Sequence, residues 1–139
     1  MSKHTSKRIH VKLRVPKMTP YKTLLAKADA VFSRYIRERD KWTCVVCGSK
    51  KRPQCGHLIK RGKHYARFDE FNCNCQCSSC NWLHNEYPEA YTLWFLREYG
   101  VEKYAEITKL AYETPKKHKF SRKFLEDIIE VYGSTSMLL

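Results

Sequence analysis

Four cysteines arranged as two identical pairs constrain this chain more than any other feature. Cys44 and Cys47 are separated by two residues, Cys77 and Cys80 repeat that spacing, and 29 residues lie between the pairs. Two thiolates at this spacing bind one tetrahedral ion, and four sulfur ligands give the closed coordination sphere of a structural Zn²⁺. The pattern predicts one structural zinc ion per chain, whose binding supplies much of the folding free energy of the middle segment.

Three further cysteines, Cys55, Cys73 and Cys75, have no partner at this spacing. An odd total of seven, in a sequence without the pattern of a signal peptide, favours a reducing cytoplasm over a disulfide framework. Cys73 and Cys75 alternate with Cys77, so on a strand all three share one face, and either of the first two could replace Cys77 as a ligand. We expect Cys77 to be the ligand and the unpaired three to behave as small buried apolar residues.

Basic residues are concentrated in the first half of the chain. The 139 residues carry 27 Lys and Arg against 14 Asp and Glu, and the first 70 residues hold 19 of these basic side chains and 5 of the acidic ones. Such a field attracts a polyanion, so the composition predicts salt-dependent nucleic-acid binding, with a solvated basic surface as the alternative. No apolar run reaches the ~20 residues that a bilayer span needs, so no membrane partner is expected.

The periodicity predicts a single mostly helical α+β domain over residues 19–139, preceded by a flexible basic arm over 1–18. Thr19 as N-cap and Pro20 at the first helical position open a helix that fills residues 19–40. Residues 42–87 contain the cysteines and little helical periodicity, so we expect metal to hold this segment. The part over 88–139 is helical. Further helices are expected over about 78–85, 88–100, 101–113 and 121–132, with Gly100 and Gly133 as stops.

Three polar residues stand out between and beside the cysteine pairs. His57 lies in a short predicted strand, Asn72 begins a second one, and Asn81 follows the last zinc cysteine at the start of a helix. Taken singly, His57 also fits a hydrogen-bonded structural histidine and Asn81 fits a helix N-cap. Taken together, they resemble the HNH nuclease motif in its His-Asn-Asn form.

With its two zinc knuckles, this arrangement looks like that of phage endonuclease VII. It resembles the NinG (Rap) recombination family of phage lambda more closely, over roughly residues 26–107. The likeness runs through KADAVFSRYIRERDKWTCVVCG, CGHLIKRGKHYARFDEFNCNCQCSSCN and YTLWFLREYGVEKYAEI.

The resemblance implies a zinc-stapled ββα-metal core (HNH-like, His-Me finger) flanked by helices, and a metal-dependent DNA endonuclease. It implies that His57 is the general base for the attacking water, that Asn72 pins the loop and orients the base, and that Asn81 binds a catalytic Mg²⁺ or Mn²⁺. The implied substrates are Holliday junctions, D-loops or flaps, cut to 5′-phosphate and 3′-hydroxyl ends in the host cytoplasm, and no small-molecule substrate is expected. Because a branched substrate presents two strands to cut, the resemblance favours a homodimer that places two active sites across the junction.

One position departs from the family pattern. HNH enzymes commonly carry an acidic or histidine metal ligand directly before the base, whereas this chain has Gly56 there. A second ligand is then expected from Asp69, His84 or Glu70, in that order of preference. The glycine also leaves open a nuclease that has lost its activity and only binds.

Basic side chains around the predicted base and in the arm are expected to contact DNA phosphates: Lys60, Arg61, Lys63, His64, Arg67, Lys12 and Arg14. Two other classes of function stay open. One is an HNH endonuclease of linear duplex DNA, of the restriction or homing type, and the other is a noncatalytic zinc-ribbon adaptor. RNA is the less favoured polymer because no RRM-like aromatic motif is visible.

Overall fold

Five helices and one two-stranded sheet make up the part of the chain that the structure describes, residues 16–135. The structure is a computed structural model, and its class is the predicted mostly helical α+β. Lys12, Arg14 and the rest of the predicted arm up to residue 15 lie outside the described residues. The elements in chain order are α1 (Tyr21–Arg39), β1 (Pro53–His57), α2 (His64–Arg67), β2 (Cys73–Cys77), α3 (Ser78–Leu83), α4 (Glu89–Tyr112) and α5 (Arg122–Thr135).

Helix α1 begins one residue later than the sequence predicts. Pro20 has an extended backbone (φ −55°, ψ 142°), and its carbonyl accepts the first helical hydrogen bond, from the Leu24 amide at 3.0 Å. Pro20 is therefore the N-cap, and the predicted capping by Thr19 is wrong, since α1 has no side-chain cap. The buried residues of α1 recur at intervals of four: Leu24, Ala28, Phe32 and Ile36.

The two strands pair in antiparallel orientation and are covered on both faces. Cys55 lies opposite Cys75, and His57 lies opposite Cys73. The alternation of a strand puts these four side chains on one face, where Cys73 packs with Phe32 of α1. On the other face lie Gln54, Gly56, Asn74 and Gln76, beneath α3 and α4. Because both faces are covered, all five residues of β2 are buried.

Glycines affect the last two helices differently. Within α4, Gly100 has a positive φ (86°) that breaks the helix into two segments, which confirms the predicted stop. Gly133 was expected to end α5, but the helix continues to Thr135. A Cβ built on Gly133 would lie 3.6 Å from Cγ1 of Val31 in α1. Packing against α1 therefore explains this glycine better than a helix stop does.

The core consists of three apolar clusters. One joins α1 to α5 through Leu24, Ala28 and Leu125, and a second joins α1 to the sheet. The third lies beneath α4, around Tyr91 and Phe95. Among residues 16–135, no helix has the length and apolar character needed to cross a membrane.

Candidate metal centre and nucleic-acid groove

The two cysteine pairs converge on one point. The Sγ atoms of Cys44, Cys47, Cys77 and Cys80 all lie within 4.8 Å of one another, and those of Cys47 and Cys77 are 3.7 Å apart. Zn–S bonds of about 2.3 Å in a tetrahedron give sulfur pairs about 3.8 Å apart. The predicted set of four ligands therefore fits one zinc ion, with Cys77 as the ligand from β2.

Backbone hydrogen bonds place these cysteines. Gly48 takes a positive φ (78°), and its amide donates to the Cys44 carbonyl at 2.9 Å, which folds the first pair into a knuckle. The Val45 amide donates to the Cys75 carbonyl at 2.9 Å and fixes the knuckle to β2. Cys77 ends β2 and is the N-cap of α3, where its Sγ accepts from the Cys80 amide. A bound ion would thus join the knuckle, the strand and the helix.

The thiols of this cluster differ in how readily they lose a proton. Burial disfavours a charged Cys44, but N–H groups of Cys47, Cys77 and Val46 donate to its sulfur and lower the pKa of Cys44. At Cys80 the pKa is raised, first by burial and then by the neighbouring Cys77 and Cys47 thiols. Four sulfurs this close cannot all be anions without a cation between them, and a zinc ion removes this conflict.

His57, the last residue of β1, is held in one tautomer. Its Nε2 lies 3.0 Å from the Arg67 carbonyl oxygen. A carbonyl oxygen only accepts, so Nε2 carries the proton and Nδ1 keeps a lone pair. Burial lowers the pKa of His57 from its ordinary 6.5; the Arg67 carbonyl opposes this shift, and the positive charge of Arg61 adds to it. The imidazole is therefore neutral at pH 7.

Asn72 is fully buried and holds the loop between the strands. Its Nδ2 donates to the carbonyls of Ile59 (3.1 Å) and Ala66 (3.0 Å), and its Oδ1 accepts from the Ile59 amide at 2.8 Å. Its own carbonyl accepts from the Leu58 amide at 2.8 Å. Both amide protons are used, so the side chain ties the backbone that follows His57 to α2.

Asn81 of α3 and His84, the C-cap of α3, share with His57 an open groove of about 1390 Å³. The Nδ2 of Asn81 donates to Gln54 Oε1 at 2.8 Å, which leaves Asn81 Oδ1 without a donor among the described residues. His84 Nε2 lies 2.8 Å from the Leu58 carbonyl, so its Nδ1 is an acceptor, and within residues 16–135 that buried atom has no partner.

The two predicted carboxylate ligands lie elsewhere. Asp69 Oδ1 accepts from the amides of Phe71 and Asn72, both at 2.9 Å, and so builds the turn before β2. Glu70 Oε2 accepts from the Tyr132 hydroxyl of α5 at 3.4 Å. Neither residue lines the groove, and the described lining contains no carboxylate at all. Of the three predicted second ligands, the structure brings only His84 near His57 and Asn81.

Of the side chains predicted to contact phosphates, some line the groove and others lie outside it. Lys60, Arg61 and Lys63 line the groove. His64 packs instead in an aromatic cluster, where its ring stacks on Phe120 with centroids 4.6 Å apart and its Nδ1 lies 3.0 Å from that of His118.

The predicted DNA contact of Arg67 is corrected by the structure. Only 8% of Arg67 is exposed, and its guanidinium pairs with the Asp29 carboxylate through two hydrogen bonds, one of them from Nε at 3.0 Å. Arg67 is therefore an interior residue of the fold.

The family model described as Bacteriophage Lambda NinG protein matches residues 2–138. The chain belongs to the NinG family. No curated protein and no solved structure matches it. Membership of the NinG family suggests a phage function related to recombination.

One feature of this NinG protein that sequence reasoning missed is Gln76. Its side chain is fully buried, and neither polar atom of its carboxamide has a partner within the described residues. A Cβ built on Gly56 would lie 1.9 Å from Gln76 Oε1. The carboxamide therefore fills the space in which the side chain of an acidic residue at position 56 would begin. Strand alternation predicts the face on which Gln76 lies, but not this overlap.

The end of α1 supplies a second feature without a sequence signal. Arg39 donates from Nη2 to the Cys73 carbonyl and to Asn74 Oδ1, both at 2.9 Å. Asp40 Oδ2 accepts from the Cys75 amide at 2.7 Å. These bonds fix β2, and with it the four-cysteine cluster and α3, against α1.

Proposed function

We propose that this NinG protein is a divalent-metal-dependent DNA endonuclease of the HNH type that hydrolyses branched recombination intermediates. The observation that carries the proposal is that a neutral His57 shares one groove with Asn81 and with the basic side chains of Lys60, Arg61 and Lys63. Such a groove attracts the phosphate backbone and presents a base to it.

The proton transfer falls to His57. With Nε2–H held by the Arg67 carbonyl, Nδ1 takes the proton from the water that attacks the scissile phosphorus. The same carbonyl then stabilises the imidazolium, because both ring nitrogens are donors in that form. Asn72 keeps the loop that carries Arg67 in place. The products would be a 5′-phosphate and a 3′-hydroxyl.

A divalent ion would be held by Asn81 through Oδ1 and would stabilise the charge that develops on the phosphate. The groove supplies amide oxygens and no carboxylate, a weak donor set for Mg²⁺. Mg²⁺ often keeps several waters and is bound partly by substrate phosphates. We therefore expect the ion to join the site together with DNA.

Branched substrates are proposed on the basis of family membership and of the groove lining. Trp82 and Tyr112 line the groove and are 66% and 67% exposed. Exposed aromatic rings beside basic side chains stack on unpaired bases, which flaps and D-loops offer and a closed duplex does not. A homodimer would place two such grooves on the two strands that a junction presents.

The test uses zinc-loaded protein with labelled four-way junction, flap and matched linear duplex, in Mg²⁺, Mn²⁺ or EDTA. His57→Ala should abolish metal-dependent cutting of branched DNA while junction binding and zinc content persist. His118→Ala is the matched histidine control, since His118 lies outside the groove, and it should still cut.

Two other results would each replace the proposal. Equal cutting of linear duplex would indicate an enzyme of the restriction or homing type. Binding without cutting in every metal would indicate a noncatalytic zinc-ribbon adaptor, a reading favoured by the lack of a carboxylate in the described lining of the groove.

A further inference from the structure

A second group of metal ligands lies outside the four-cysteine cluster and includes the proposed base. One ligand atom from each of Cys55, His57 and Cys73 lies within 4.8 Å of the other two. Cys55 and His57 are two residues apart on β1 and share a face, and Cys73 is the register partner of His57 on β2. The sheet therefore brings these side chains together, although the sequence shows no CxxC spacing between them.

Two of these ligands already point at one atom. The Arg67 carbonyl oxygen accepts from His57 Nε2 at 3.0 Å and from Cys73 Sγ at 3.4 Å. The pair of hydrogen bonds shows that both side chains direct a proton into the same small space. A cation in that space would take the place of these protons.

The chemistry of these three ligands favours zinc over magnesium. Two thiolates and an imidazole are ligands of Zn²⁺ and do not suit Mg²⁺. Three protein ligands leave one position open, whereas the four-cysteine cluster is closed. This second site should therefore bind zinc more weakly than the first and release it more readily.

We propose that Cys55, His57 and Cys73 bind a second, exchangeable zinc ion, and that this ion inhibits the nuclease activity proposed above. The inhibitory part rests on that proposed function. Binding releases two protons, one from each thiol, as two Zn–S bonds and one Zn–N bond form. If zinc binds Nε2, the imidazole proton moves to Nδ1; if zinc binds Nδ1, the lone pair is occupied. In either case His57 has no nitrogen left to accept a proton from water.

The site itself is tested by zinc binding, without DNA. Reduced protein whose four-cysteine cluster is filled is dialysed against increasing free Zn²⁺, and bound zinc is counted by native mass spectrometry. Wild type should bind a second ion, and Cys55→Ser and Cys73→Ser should not. Cys75→Ser is the matched control, because Cys75 belongs to neither cluster, and it should still bind two.

Two binding results would refute the proposed second zinc site. A wild-type protein that binds no second zinc would refute it, and so would a Cys55→Ser protein that binds the second ion as wild type does. Cys55 is only partly buried, so its variant keeps the test valid if the fully buried Cys73 does not tolerate serine.

Inhibition is tested by cutting junction DNA in Mg²⁺ with and without the second zinc. Loss of a general base costs about 100-fold or more, so wild-type cutting should fall by that factor and recover when a weak chelator removes the second ion. Cys55→Ser should cut at the wild-type rate and resist added zinc. Unchanged wild-type cutting with the second zinc bound would refute inhibition. If neither wild type nor any variant cuts DNA in zinc-free buffer, the proposed nuclease activity is refuted, and its inhibition with it. The dialysis experiment still shows whether the second zinc site exists.

Discussion

Replacing Gly56 with alanine tests the overlap between this position and Gln76. An ideal Cβ on Gly56 would lie 1.9 Å from Oε1, 2.7 Å from Cδ and 2.9 Å from Cγ of Gln76, all far inside van der Waals contact. The end of a flexible side chain normally moves away at little cost. Here the side chain is fully buried, so the carboxamide cannot move out into solvent without displacing the residues packed around it.

The expected change in the free energy of unfolding is the balance of two opposing effects. Overpacking a closed site costs about 1–3 kcal/mol. The backbone of Gly56 is not in the positive-φ region, so alanine can adopt it without strain. Because alanine also lowers the conformational entropy of the unfolded chain, it raises the free energy of unfolding by about 0.4–1 kcal/mol. We expect Gly56→Ala to lower the free energy of unfolding by about 1–2 kcal/mol. In a Gln76→Ala background the overlapping atoms are absent, so the same substitution should be neutral or stabilising.

Urea denaturation of zinc-saturated protein measures all four members of this double-mutant cycle. Gly62→Ala is the matched control, because nothing lies within 4 Å of a Cβ built there, and it should be neutral or stabilising. The reasoning is refuted if Gly56→Ala is as harmless as Gly62→Ala, or if its cost is the same with alanine at position 76.

Four other predictions concern the metal sites, the base and the interior ion pair. Removing zinc with a strong chelator should lower the free energy of unfolding by several kcal/mol. Calorimetry should then show a melting temperature lower by about 10 °C or more, and an unchanged melting temperature would contradict a structural zinc. Isothermal titration of zinc-loaded protein with Mg²⁺ should give no binding heat without DNA, and a tight DNA-free site would contradict the argument from a groove lining without carboxylates. Because the pKa of His57 is lowered, cutting should decline as pH falls, with a midpoint below 6.5, and a midpoint above 7 would exclude this histidine as the base. Asp29→Ala leaves the buried Arg67 unpaired and should cost about 2–4 kcal/mol in urea denaturation, whereas Lys123→Ala breaks a pair exposed on both sides and should leave the free energy of unfolding nearly unchanged. Equal costs would contradict the burial argument.

Local patterns in the sequence predict those parts of the site that short-range geometry determines. The spacing of Cys77 and Cys80 indicates a metal ligand pair because the first turn of α3 brings their sulfurs together. The break at Gly100 follows from the positive φ that other residues avoid. Resemblance to the HNH motif predicts functional roles for His57, Asn72 and Asn81, and His57 and Asn81 line one groove in the structure.

The features that sequence reasoning missed depend on partners far away in the chain. Arg67 is one basic residue among several in its loop, and its partner Asp29 lies 38 positions earlier, so a single sequence gives no sign that it faces inward. The same holds for Asp40, whose carboxylate meets the Cys75 amide across 35 positions. Such contacts are decided when helices and strands pack together, a step that local propensity does not describe.

The packing of α1 against α5 sets an order of events during synthesis. The Tyr21 hydroxyl of α1 donates to the Phe120 carbonyl across 99 positions, and Leu24 and Ala28 are buried with Leu125. A ribosome adds about 5–20 residues per second, so the apolar stripe of α1 emerges roughly 5–20 s before its partner has been made. Over that interval the apolar residues Leu24 and Ala28 have no α5 to pack against, so chaperones that bind exposed apolar segments have their opportunity then. The domain therefore completes its folding only after α5 has left the ribosome.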